Sequence, residues 1–183
     1  MSKKLKLGKH LYLIGPRGSG KSCLARLLAE ELEVYFYDVD TVVRREQSRS
    51  IEQIVREQGW AKFRDLESEV LARLAEKSAP TVIATGGGVV LNAANCEIMC
   101  NSGTVVYLKA PLHVLMERIT RAAPSDHRPA LTNLPPEEEM ARVLAEREPL
   151  YAATAAAIVD AALPKEEVAG TILRIIAQTA RDV

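Results

Sequence analysis

The sequence predicts an α/β fold of three layers, a five-stranded parallel sheet covered by helices on both faces. Three observations carry this. Short apolar runs alternate with longer stretches whose apolar residues recur at helical spacing. A strand near the N-terminus runs into a glycine-rich loop that opens a helix, "HLYLIGPRGSGKSCLARLL". No internal repeat, low-complexity tract or linker divides the 183 residues, a length that suits one domain, 1–183, with a real core. Strands separated by helices pair in parallel, and a parallel sheet buries both of its faces.

Taken in order, "HLYLI" (10–14) reads as a buried strand, and 20–32 as a helix with apolar residues on one face. "VYFYD" (34–38) is a short β-rich run, followed by helices at 40–47 and 50–58. The second of these opens with Ser50 and Gln53, the spacing of a capping box. A further helix covers 59–77, and "TVIAT" (81–85) is a strand leading into "GGG". "NAANCEIMCN" is a helix, and "GTVVYLKA" (103–110) a strand. Pro111 starts a helix, as proline does in a first turn. The stretch 122–136, rich in Pro and polar residues and without periodicity, reads as a mobile loop. "PPEEEMARVLAEREPLY" is a helix with acids in its first turn, where the dipole favours them. "AAIVD" (156–160) is the last strand, and "EEVAGTILRIIAQTA" the closing helix.

Composition excludes some functions. Lys plus Arg number 24 and Asp plus Glu 24, so the formal net charge is zero, against binding nucleic acid or anionic membrane through bulk charge. Aromatics are 4%, too few for base-stacking platforms. No apolar run is long enough for a bilayer, and no signal-peptide pattern follows the basic start "MSKKLKLGKH". Three cysteines, Cys23, Cys96 and Cys100, suit a reducing compartment. Cys96 and Cys100, four apart on one helix, read as buried thiols. A cytoplasmic monomer without nucleic-acid or membrane partners is expected.

The chemistry starts at Gly15, Gly20, Lys21 and Ser22, which fit the pattern G-x-x-x-x-G-K-[ST] between a strand and a helix. Glycines let backbone N–H groups turn inward on an anion, and the helix dipole points there too. Lys21 reaches the outer phosphates of a nucleoside triphosphate, and Ser22 Oγ can ligate Mg²⁺. No D-x-x-G follows a later strand and no N-K-x-D occurs, against a GTPase switch. Instead "YDVD" places Asp38 and Asp40 at the carboxyl end of the second strand, on the edge shared with the phosphate loop. One carboxylate can hold Mg²⁺ through water and the other accept a proton from an attacking hydroxyl. The bland alternative is that Asp40 only caps the helix beginning at 41. Arg64, with Glu67 one turn on to brace it, and Arg147 suggest a small anionic acceptor held by arginine forks.

In "LIGPRGSGKS", "YDVD", "GWAKFRDLE", "ATGGGVVL", "DHRPALT" and "EREPLY", in that order and over nearly the whole chain, the sequence resembles the shikimate kinase family. "RPALT" and "PPEEEM" resemble the second of the two enterobacterial-type isozymes. The resemblance implies a P-loop kinase fold and transfer of the γ-phosphoryl group of ATP to the 3-hydroxyl of shikimate, with Mg²⁺. It implies that Arg17, Gly18, Ser19, Gly20, Lys21 and Ser22 bind ATP, with Ser22 and Asp38 toward the metal. Asp40 would contact the shikimate hydroxyls as base, and Arg64 and Arg147 its carboxylate. Gly86, Gly87 and Gly88 would offer backbone, while Phe63 and Trp60 wall the pocket, the acceptor region being about 39–65. A lid over about 122–134 would carry Arg128 to the transferring phosphate, and Arg121 would stack on adenine. One departure is "RPAL" at 128–131, where the family often reads R-P-L-L; altered lid packing is expected. A gluconate-type or nucleoside monophosphate kinase, or a non-catalytic nucleotide-binding domain, would share the loop but need not keep Asp40 and Arg64.

Overall fold

The structure, a computed structural model, describes residues 6–121 and 130–179. Among these residues there are five strands and seven helices. They run β1 (His10–Ile14), α1 (Lys21–Leu32), β2 (Tyr35–Asp38), α2 (Val39–Gln47), α3 (Ile51–Ala75) and β3 (Thr81–Ala84). Then come α4 (Ala93–Ser102), β4 (Gly103–Lys109), α5 (Leu112–Arg121), α6 (Pro136–Thr154), β5 (Ala157–Asp160) and α7 (Lys165–Thr179), with one 3₁₀ turn at Val89–Leu91. The sheet is wholly parallel in the order β2-β3-β1-β4-β5. β1 lies at its centre, with Leu13 beside Ala84 on one side and Val106 on the other.

The period-two pattern explains the layers. Leu11 and Leu13 of β1 pack with Val82, Val106 and Leu108 into one core, together with α1 and α7. The alternate residues Tyr12 and Ile14 join Ile83, Val105 and Tyr107 in a second core under α2, α3 and α6. Each central strand is therefore apolar on both sides, as a covered parallel sheet requires.

The capping box is formed as expected. Ser50 Oγ accepts from the Gln53 N–H at 3.1 Å, and the Ser50 N–H donates to Gln53 Oε1 at 2.8 Å. The two helices expected at 50–58 and 59–77 are both present, and within α3 they meet at Gly59, whose backbone (φ 82°, ψ 167°) is not helical, a conformation glycine takes without penalty. The cysteines correct the sequence reading: Cys100 and Cys23 are exposed and Cys96 half-buried. Spacing put Cys96 and Cys100 on one face of α4, but that face is not the one covered by the sheet.

Candidate active site

The carboxyl ends of β1, β2 and β3 open into one cavity of about 840 Å³. Arg17, Gly18, Gly20, Lys21, Ser22, Asp38, Asp40 and Gly87 all line it. The sequence had put these residues in one site, and the fold brings them there because parallel strands share an edge.

The phosphate loop is set by its own backbone. Gly20, the N-cap of α1, sits at φ 89°, which frees the first N–H groups of α1 to point outward. Lys21 is buried, and its Nζ donates to Gly15 O at 2.9 Å, to Pro16 O at 2.8 Å and to Ser19 Oγ at 3.3 Å. Every one of these partners belongs to the loop, so the loop itself centres the ammonium over the helix N-terminus. Ser19 is buried behind the loop.

Asp38 ends β2 and caps α2. Its Oδ1 accepts from the Thr41 N–H at 2.9 Å, and its Oδ2 accepts from Ser22 Oγ. The cap is thus Asp38 and not Asp40, which removes the bland explanation for Asp40. Two hard oxygen donors, Ser22 Oγ and Asp38 Oδ2, stand side by side at the cavity. Among the described residues no group of three or more His, Cys, Asp or Glu could cage a metal. A pair of oxygens without a cage suits Mg²⁺, which keeps waters and takes its other ligands from phosphates.

The glycine run after β3 abuts the phosphate loop. A Cβ on Gly87 would come 3.5 Å from both Arg17 N and Gly15 O. Its neighbours are glycine for another reason: a Cβ on Gly86 would overlap the Glu67 carboxylate, and one on Gly88 the Arg64 guanidinium. Arg64 Nη1 donates to Glu67 Oε2, and the guanidinium carbon lies 5.4 Å from the Trp60 ring centre and 5.8 Å from that of Phe63. Glu67 was expected only as a brace for Arg64, yet it is 3% exposed and its Oε1 has no hydrogen-bond partner among the described residues. Burial raises its pKa, opposed by Arg64, Arg147 and Lys21. From α6, the buried Arg147 donates through Nη1 to Gly87 O at 3.2 Å. Phe63 is fully buried and Trp60 half-buried beside it.

Arg121 is not brought to the cavity. It is exposed and pairs with Glu117 at 2.8 Å, while Arg118, one turn earlier on α5, lines the wall. Arg128 lies outside the described residues, as does most of the stretch expected to form a lid. Arg26, Arg44 and Arg45 also line the cavity and were missed. They sit on ordinary helical surfaces in sequence, and only the fold turns them inward.

A family profile described as shikimate kinase matches residues 17–177. A protein of Sodalis glossinidius named shikimate kinase 2 is 41% identical over 166 residues, covering 91% of this chain and 94% of its own. A solved shikimate kinase from Acinetobacter baumannii, in complex with shikimate, superposes with a TM-score of 0.87 at 34% identity, covering 93% of this chain and 94% of its own. A gluconokinase from Sinorhizobium meliloti, at 18% identity with a TM-score of 0.61 over 97% of this chain and 96% of its own, shares the fold alone.

Proposed function

The chain belongs to the shikimate kinase family, and we propose from that premise how its residues divide the transfer of the γ-phosphoryl group of ATP to the 3-hydroxyl of shikimate. The relatives named shikimate kinase 2 agree with the second-isozyme spelling of the sequence. The observation that carries the division of labour is the nearness of Gly87 to the phosphate loop, where even a Cβ would come within 3.5 Å of Arg17 N and Gly15 O. It sets a backbone platform for an acceptor directly beside a cradle for phosphates.

The loop 15–20 and the α1 N-terminus bind the phosphates through backbone N–H groups, and Lys21 exchanges its loop carbonyls for phosphate oxygens. Ser22 and Asp38 would hold Mg²⁺, which when bound would neutralise charge on the transferring group. Asp40, in the first turn of α2 and on the cavity wall, faces the acceptor hydroxyl and takes its proton. Arg64 and Arg147 hold the acceptor carboxylate; Glu67 fixes the first from behind, and Gly87 fixes the second. Positioning and charge neutralisation supply most of the catalysis in such a transfer. Arg128 keeps the role of lid arginine that the resemblance implies. Arg121 would have to leave Glu117 to reach a base, a small cost for an exposed pair.

The protein is a cytoplasmic monomer in this reading. No described helix is long and apolar enough to cross a membrane, and the large exposed apolar side chains, such as Tyr35, Leu91 and Ile158, come from different elements.

The experiment is coupled ADP release from ATP and Mg²⁺, with shikimate, gluconate or AMP as acceptor. Stimulation by shikimate alone is expected. ATP bound without that stimulation would leave the phosphate site standing and remove the acceptor assignment.

A further inference from the structure

The three glycines after β3 have no side chains to hold them, so their carbonyls must. Gly86 O accepts from the Val89 N–H at 3.2 Å and Gly88 O from the Leu91 N–H at 3.1 Å, both within the local turn. Gly87 O is different. It accepts from Arg147 Nη1 at 3.2 Å and from Tyr151 Oη, two donors one turn apart on α6. A carbonyl has two lone pairs, and both are used. Gly87 is also the member of the run that lines the cavity, and an added Cβ there would meet the phosphate loop.

We infer that Tyr151 is a positioning residue for the acceptor, acting through the Gly87 carbonyl. The inference rests on the function proposed above. Arg147 has a second task there, since its fork turns to the acceptor carboxylate. Tyr151 is fully buried and does not line the cavity; its hydroxyl meets the Gly87 carbonyl and the Arg147 guanidinium. It holds the Gly87–Gly88 peptide in place whichever way Arg147 points. Its ring is locked by stacking on Tyr107, with centres 5.0 Å apart and planes at 27°. Burial pushes the phenol up to about 12, so it remains a donor throughout the working pH range. The Tyr107 hydroxyl, by contrast, is buried with no hydrogen-bond partner among the described residues.

The stacked pair supplies its own control. Tyr151→Phe keeps the ring and removes the hydrogen bond to Gly87, whereas Tyr107→Phe keeps the ring and removes an unpartnered hydroxyl. We expect Tyr151→Phe to raise the KM for shikimate about 3- to 10-fold, the size of one hydrogen bond, with the KM for ATP unchanged. Tyr107→Phe should change neither. Equal changes in both KM values, or no change in either, would overturn the inference in favour of plain packing. A carbonyl ¹³C measurement at Gly87 is read in parallel, and its resonance should move in Tyr151→Phe but not in Tyr107→Phe. Should the unsubstituted enzyme ignore shikimate, the functional reading falls and this resonance alone decides the clamp; an unmoved resonance would remove it.

Discussion

The two halves of the cavity are built on opposite plans. The donor half is one continuous loop, residues 15–22, whose ammonium is steered by carbonyls of the same loop. The acceptor half is gathered from α2 and Gly87, which line the cavity, and from Arg64 of α3 and Arg147 of α6, which stand against Gly88 and Gly87 without lining it. Its parts are held by side chains from elsewhere in the fold: the Arg64 guanidinium by Glu67, and the Gly87 carbonyl by Arg147 and Tyr151. In the proposed function the donor half presents backbone to a ligand common to many proteins, and the acceptor half presents a particular arrangement to a particular molecule. Damage to the loop or to Asp40 should appear in turnover, and damage to Arg64, Arg147 or the Gly87 carbonyl in acceptor affinity.

The largest effects test the boundary between the halves. Lys21→Ala should lower kcat by about 10²–10³, the usual consequence of removing one preorganised donor to developing charge. Asp40→Asn should cost about 10²–10⁴ in kcat while calorimetric binding of ATP persists. A fully active Asp40→Asn enzyme would leave Asp40 as an orienting group and not the base.

Arg64 comes next. Arg64→Ala should raise the KM for shikimate about 10- to 100-fold, the loss of a charged hydrogen-bonding fork, and leave that for ATP alone. It also strands Glu67, which is 3% exposed, and breaking a buried pair costs about 3–5 kcal/mol. The double variant Arg64→Ala/Glu67→Gln removes that charge. It should recover thermal stability without recovering shikimate affinity. Recovery of both would mean that Arg64 serves the fold and not the ligand.

The glycines sharpen the same contrast. At Gly88 an added Cβ meets the far end of the half-buried Arg64 side chain, which can yield. At Gly86 it meets the buried Glu67 carboxylate, with Asp40 Oδ1 3.2 Å away. Gly88→Ala should therefore weaken shikimate with little change in Tm. Gly86→Ala should lower stability by about 1–3 kcal/mol, as overpacking does. Equal melting losses in the two variants would contradict this difference.

The same contrast explains what was legible in the sequence. Spacing alone carried the phosphate loop, because all its parts lie within one turn of chain between a strand and a helix. Asp38 and Asp40 were legible because strand ends share an edge, although Asp38, and not Asp40, proved to be the cap. Arg64 and Arg147 stand far apart in sequence; their chemistry suggested a small anionic acceptor, and the resemblance supplied the carboxylate they would share. The burial of Glu67 was hidden because its spacing from Arg64 sets a helical face but does not say that the glycine run after β3 covers that face. Tyr151 could have been found: it stands one turn beyond Arg147 in "EREPLY", on the same helical face. Cys100 was misjudged because helical spacing defines a face but not which face the sheet covers.

The last expected effect appears only at alkaline pH, outside the range in which the other variants are compared. Tyr151 is raised to about 12 by burial, and Tyr107 and Tyr12 are raised for the same reason. Each phenol ionises more readily in the unfolded chain than in the folded one. The stability they contribute is complete below pH 10, the ordinary tyrosine value, and is lost as the pH rises through the folded value. For Tyr151 the gap between 10 and about 12 corresponds to ~3 kcal/mol at most. Absorbance of tyrosinate and far-ultraviolet circular dichroism, followed together, should show these three tyrosines ionising only as the chain unfolds. Tyr151→Phe should unfold at a higher pH than its lost hydrogen bond alone would suggest, because the ionisable group is gone. Ionisation of all five tyrosines with the dichroism intact would show that the Tyr151 phenol is open to solvent, and the acceptor half would then lack the buried lock on Gly87 that distinguishes it from the donor loop.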